Sequence, residues 1–361
     1  MTVAGELAAV ALAQRRRQRG AAAIWAFAVL LLLAFLVAAG HGAVDIPPGE
    51  MLSILARVIG FDAGTETGQA TVLLAIRLPR ACLAVLAGAS LAIAGASLQG
   101  LFRNPLADPA LIGVSSGAAL AAVATIVLGS GAVLAIPVGL RGFVLPLAAF
   151  AGGLAVTFLV HRIASRDGRT DVATMLLAGV ALNAMAGAGI GLLVFVSDDQ
   201  QLRDLSFWML GGLGGVTWGK LLPALPLMLV ALVMLPLFAR HLNALLLGET
   251  EALHLGFDVE RTKRLIVILA ALATGAAVAL IGIVGFVGLV VPHLVRMAVG
   301  PDHRTLLPIS ILLGASLMLV ADLVARHIVL PAEMPIGIVT ACVGGPFFLW
   351  LLMRRRAPGG W

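Results

Sequence analysis

The chain has 361 residues, 61% of them hydrophobic and only 12% charged, with a mean hydropathy of +1.07. A soluble domain carries about 25% charged residues; half that supply cannot wet a globule of this size, so the composition excludes a soluble protein and predicts a polytopic membrane protein. The net charge of +6 does not point to nucleic acid, because the basic residues lie in short clusters between apolar runs, without tyrosine and with few aromatics among them.

Apolar runs of spanning length, roughly 17–25 residues, are placed about ten times: 22–40, 81–100, 112–130, 143–161, 173–196, 221–239, 265–284, 285–299, 306–325 and 336–353. The fold class is therefore all-α, in one transmembrane domain over 1–361. Residues 1–20 form a basic segment with Arg15, Arg16, Arg17 and Arg19, and the first run has neither the length nor the cleavage site of a signal peptide. With that amino terminus cytoplasmic, ten spans return Arg354, Arg355 and Arg356 to the same side and place 17 Lys/Arg inside and 7 outside. Within 265–299, Gly282, Gly285 and Gly288 suggest a break rather than one overlong helix.

Gly88 and Gly95, a heptad apart, suit close helix contact. The echo of LAGASLAIAGA (86–96) in LAGVALNAMAGA (177–188) and LLGASLMLVAD (312–322) fits either a duplication or chance likeness among Leu/Ala/Gly-rich helices. Cys82 and Cys342 fall inside apolar segments and read as packed thiols. Asn183, Ser90 and Gln99 read as hydrogen-bonding glue between spans.

The stretch GGLGGVTWGKL (211–221) imitates a phosphate-binding loop through Gly214, Gly219 and Lys220. A working loop needs Ser or Thr after the lysine and a strand before it; Leu221 and a membrane span stand there instead. We read it as an external turn between Trp208 and Trp218. A proton-coupled secondary carrier would need a buried carboxylate relay; Asp322 is the main candidate, and Arg326 four residues on can pair with it. The loop NALLLGETEALHLGFDVERTKR (243–264) reads as two short helices broken at Gly248 and Gly256, with Leu245, Leu246, Leu247, Leu253 and Leu255 as an apolar surface. Such a surface is covered by a partner or by the protein's own face.

RLPRACLAVLAGASLAIAGASLQGLFRNPLADPALIGVSSGAA (77–119), GIVGFVGLVVPHLVRMAVGPDHRTLLP (282–308) and ADLVARHIVLPAEMPIGIVTACVGGPFFLWLL (321–352) closely resemble the permease subunits of ABC importers for iron-siderophores, haem and vitamin B12. The likeness runs from residue 45 through nearly the whole remaining chain. It implies a homodimer of ten-helix subunits in the bacterial inner membrane, two cytoplasmic ATPase subunits that hold the ATP and Mg, and a periplasmic binding protein. The chain itself would bind no cofactor, metal or nucleic acid and carry no catalytic residue.

On that resemblance Glu249, Ala252, Leu255 and Gly256 would couple to the ATPase. Arg57 and Arg326 would meet the binding protein, although Arg57 reads equally as a solvated residue and Arg326 as the partner of Asp322. Val172, Ala173 and Thr174 would form the gate of the translocation path, where two apolar residues suit a hydrophobic cargo. Arg103 and Asp108 in RNPLADP fix a turn. Haem is the expected cargo, with Arg77, Arg80, Arg141 and Arg203 to receive its carboxylates unless the first two only anchor the interface; ferric siderophore and vitamin B12 are the alternatives. Met209, His41 and His327 are set aside as iron ligands, since a transporter must release what it carries.

Overall fold

The computed structural model describes residues 3–42, 45–58, 68–129, 131, 133, 135–329 and 332–355; Arg356 of the terminal basic cluster lies outside them. The helices in chain order are α1 (Val3–Gly40), α2 (Pro48–Val58), α3 (Gly68–Leu101), α4 (Val114–Leu128), α5 (Val138–Ala164), α6 (Val172–Phe195), α7 (Asp199–Leu210), α8 (Trp218–Leu245), α9 (Glu249–His254), α10 (Val259–Ile281), α11 (Val287–Val299), α12 (His303–His327) and α13 (Ile336–Arg355). Seven of them are long and apolar enough to cross a membrane, and α4, α11 and α13 are shorter apolar helices. Together these coincide with the ten expected spans. Two helices were not expected, α2 and α7, and α1 continues back through the basic segment to Val3.

Helix α3 occupies the centre, buried along almost all of 87–101, a stretch rich in alanine, glycine and serine. Among α3, α11 and α12, glycines meet backbone to backbone: a Cβ on Gly95 would overlap the Gly288 carbonyl, and one on Gly88 would overlap that of Gly314. Without water to drive burial, such close contact is what holds helices together in lipid. The three echoed segments share this use. Gly179 of the second stands against the Leu111 carbonyl, while the equivalent Gly88 and Gly314 of the first and third meet each other. Exposed apolar side chains cover the periphery, including Trp25, Leu32, Phe158 and Phe195. Cys342 is exposed on α13 rather than packed.

The expected break after α10 is present. Gly282 takes φ +72°, the helix ends at Ile281, and the backbone re-enters at Phe286. The glycine-rich stretch that imitates a phosphate loop packs against this break: Gly212 N–H donates to the Ile281 carbonyl (2.8 Å), and the Gly211 carbonyl accepts from Ile336 N–H (3.0 Å). Helix α7, not a strand, precedes it, so these amides close a turn between three helices instead of facing a phosphate.

Both termini of the described chain lie at one end of the bundle. Gly20 stands against Thr305 at the start of α12, and Leu351 stands beside Pro105 and His293. That end also carries an antiparallel hairpin, β1 (Ser165–Arg166) and β2 (Arg169–Thr170). Its two-residue turn, Asp167 and Gly168, has φ of +52° and +75°, the positive pair that a primed hairpin turn requires and that Asp-Gly supplies.

Candidate functional site

Two polar clusters close the two ends of the bundle. At the end away from the termini, Asp322 on α12 is 1% exposed. The Arg80 Nε and Nη2 of α3 donate to its Oδ1 at 3.0 and 2.9 Å, and Arg326 Nε lies 3.1 Å from its Oδ2. Arg80 also gives Nη1 to Glu333 (2.8 Å), and Arg326 gives Nη2 to the Ala38 carbonyl (3.3 Å). Arg77, itself buried, donates Nη1 to the carbonyls of Ala39 and Gly40 at 3.0 and 2.6 Å, where it satisfies orphan groups at the end of α1. Arg77 and Arg80 are thus bonded within the fold, and Arg326 takes the pairing with Asp322 that was one of its two expected readings. Asp322 faces two cations, an arrangement that fixes a charge in place and offers no relay.

A cavity of about 640 Å³ opens beside this cluster, lined by Arg80, Arg141, Lys220, Asp322, Glu333 and the 211–216 turn. Of the four arginines expected to meet cargo, only Arg80 and Arg141 reach it; Arg203 is bonded to Gln200 on α7 (2.8 Å). Lys220 was missed because its place in a false phosphate motif drew attention from its charge. Arg57 lies on α2 and donates to Ser53 one turn back (3.2 Å).

At the other end the chain builds its link between loops around Lys263, which is 3% exposed. Its Nζ lies 2.7 Å from Glu249 of α9 and 3.1 Å from Glu260, and donates to the Thr170 carbonyl at 2.9 Å. Glu260 in turn accepts from the Thr170 N–H at 2.8 Å. One ammonium thus ties α9, α10 and the β1–β2 hairpin together. The hairpin leads directly into α6 through Asp171, whose carboxylate accepts from the Thr174 hydroxyl and N–H; those bonds hold its pKa below the ordinary carboxylate range.

In the sequence nothing sets Lys263 apart within the 243–264 loop. The expected coupling residues divide around it. Ala252 is fully buried, so it seats α9 and cannot present a side chain, a correction to its expected role; Glu249 is engaged by Lys263. Leu247, Leu253 and Leu255 are 67%, 58% and 60% exposed, whereas Leu245 is buried, and Gly256 (φ +86°) leaves open space around its Cα. Thr174 has its hydroxyl bonded, and the exposed positions along α6, among them Ala173, Leu177, Val180, Ala184 and Leu192, are apolar. Asn183 ties α6 inward through Ser116 Oγ and the Ala110 carbonyl (3.1 Å), while Asp108 caps the 109–112 turn by accepting from Ala110 N–H (2.8 Å).

If Lys263 carries motion from α9 to α6, as the resemblance to importer permeases implies, replacing it with methionine should lower ATP-driven uptake about tenfold while hydrolysis continues. Lys263→Arg should recover part of the uptake. Parallel uptake and hydrolysis assays check this; equal loss of both would reduce Lys263 to a stability role.

Residues 30–354 match the family described as the FecCD transport family. The chain is 46% identical to the hemin transport system permease protein HmuU of Yersinia pestis, over 91% of this chain and 94% of that one. It is 48% identical to the cobalamin import system permease protein BtuC of Halobacterium salinarum, over 81% and 75% of the two chains. Against the vitamin B12 import system permease protein BtuC of Klebsiella pneumoniae the figure is 39%, over 96% and 97%. A solved structure of a metal-chelate type ABC transporter in an inward-facing conformation superposes with a TM-score of 0.79 at 31% identity, covering 92% of this chain and 98% of that one.

Proposed function

The chain belongs to the FecCD transport family as a multi-pass permease of an ABC importer, and from that premise we propose that its cargo is haem, moved from periplasm to cytoplasm by alternating access. The observation that carries the choice is the exposed face of α6, which is apolar along its length and presents no free hydroxyl at Val172, Ala173 and Thr174. A flat apolar ring passes such a wall more readily than a hydroxyl-rich chelate. Similarity to the hemin permease over nearly the full length of both chains supports the same cargo, while the cobalamin permeases keep vitamin B12 as the second reading. Arg141 and Lys220 line the 640 Å³ cavity, and in this reading they meet the haem carboxylates.

In this reading two copies of the chain form the path, with the α6 helices along it. A separate ATPase subunit docks on Leu247, Leu253, Leu255 and Gly256 and supplies the energy. A binding protein delivers cargo at the opposite end, where Arg57 is the candidate contact. The excess of Lys/Arg on the side that carries the termini supports their cytoplasmic placement, in the bacterial inner membrane.

The test is uptake into proteoliposomes carrying the chain with its ATPase, cargo being presented on the binding protein. Haem should accumulate only with ATPase and ATP together. Entry of vitamin B12 or a ferric siderophore but not haem would replace the cargo and leave the importer standing.

A further inference from the structure

Between the end of α5 and the start of α10 lies a second cavity, of about 520 Å³, which no transport step above uses. That is ample for part of a ligand, since small-molecule sites occupy about 300–1,000 Å³. Its long walls are apolar: Phe158, Val267, Ile268 and Leu272 line it, with Phe158 and Ile268 exposed at the surface of the bundle. Its other end is basic, with Arg162 in the last turn of α5, Arg264 in the second turn of α10, and His161 beside them.

The charges at this end are unbalanced. Among the described residues neither Arg162 nor Arg264 has an ion pair or a hydrogen bond to a carboxylate. Glu260, one turn before Arg264 on α10, is bonded to Lys263 and the Thr170 amide instead. His161 Nδ1 is buried without a partner. Arg162 and Arg264, each near an end of its helix, line the same groove as the apolar side chains.

We propose that this groove binds an anionic phospholipid, its phosphate between Arg162 and Arg264 and an acyl chain along Phe158, Ile268 and Leu272. Basic pockets between transmembrane helices on the cytoplasmic side suit anionic headgroups. A free phosphate would satisfy the arginines but leave the groove empty, so the combination selects a lipid. Arginines that merely snorkel from helix ends need no groove below them. Ser165 and Thr170 of the hairpin border the same cavity, so a bound lipid also braces the hairpin held by Lys263.

Native mass spectrometry of the full-length protein in detergent, titrated with phosphatidylglycerol or phosphatidylcholine, tests this. Wild type should retain phosphatidylglycerol at least about tenfold more strongly than phosphatidylcholine, and R162Q/R264Q should lose that preference. Ile268→Trp, which fills the groove from its lipid side, should block phosphatidylglycerol, and Arg261→Gln on the neighbouring surface should not. Equal retention of both lipids, or phosphatidylglycerol binding unchanged in R162Q/R264Q or in Ile268→Trp, would overturn the proposal. So would full displacement of the lipid by millimolar inorganic phosphate, which would mark a plain anion site. Should the double variant fail to fold, the Ile268→Trp result decides.

Discussion

Replacing Gly95 with leucine should leave almost no folded protein in the membrane. A Cβ at this position has nowhere to go, since the nearest atoms are the backbone carbonyl and Cα of Gly288 on α11. Overpacking against side chains typically costs about 1–3 kcal/mol because rotamers can shift. Here the obstacle is backbone, so two helices must separate, and the loss should exceed about 3 kcal/mol, enough to remove much of a marginal stability. Gly95→Ala should already be severe. Gly139→Ala on α5, with open space around its Cα, is the matched control and should fold as the parent does. Fluorescence-detected size exclusion of tagged protein reads all three; a monodisperse Gly95→Leu peak at parental yield would refute the central packing of α3.

The second large effect is expected from Asp322→Asn. The carboxylate is almost completely buried between Arg80 and Arg326, and Arg77 adds a third cation nearby. Removing the negative charge leaves Arg80 with Glu333 alone and Arg326 with a single carbonyl. Breaking a buried pair by removing one partner costs about 3–5 kcal/mol, because the remaining charge stays buried and uncompensated. The thermal midpoint in detergent should fall accordingly, and D322N/R326M should recover a good part of the loss by removing the orphaned cation. Uptake per folded molecule should stay dependent on ATP. Accumulation without any ATPase, abolished by Asp322→Asn, would instead revive the secondary carrier.

The spans were legible in the sequence because each is a continuous apolar run, and hydropathy needs no knowledge of neighbours. The break at Gly282 was legible because glycine is the residue for a positive φ at a helix end. Two further elements had signals that hydropathy passes over. Asp198 and Gln201 form the capping box that starts α7, and Asp167-Gly168 marks the hairpin.

The polar clusters were not legible, for a different reason. Arg80, Asp322 and Glu333 are brought together from α3, α12 and the approach to α13, and nothing local in either stretch announces the other. The resemblance therefore offered Arg80 as a cargo contact, and nothing marked out Lys263 within the 243–264 loop. Lys263 is buried and Arg80 largely so, because in a membrane protein a basic residue near a helix end serves equally as topology signal and as clasp.

The meeting of Gly88 and Gly314 has a consequence for how the protein is made. Helix α3 emerges early from the ribosome, but the helices that fill its glycine grooves, α11 and α12, come near the end of the chain. At about 5–20 residues per second, α3 waits roughly ten seconds or longer with its central surface unmatched. Throughout that interval it depends on the insertion machinery or on provisional neighbours. Nascent chains that stop before α12 should therefore be poor survivors in the cell even though most of their spans are complete, and quality control of this permease falls on its last quarter.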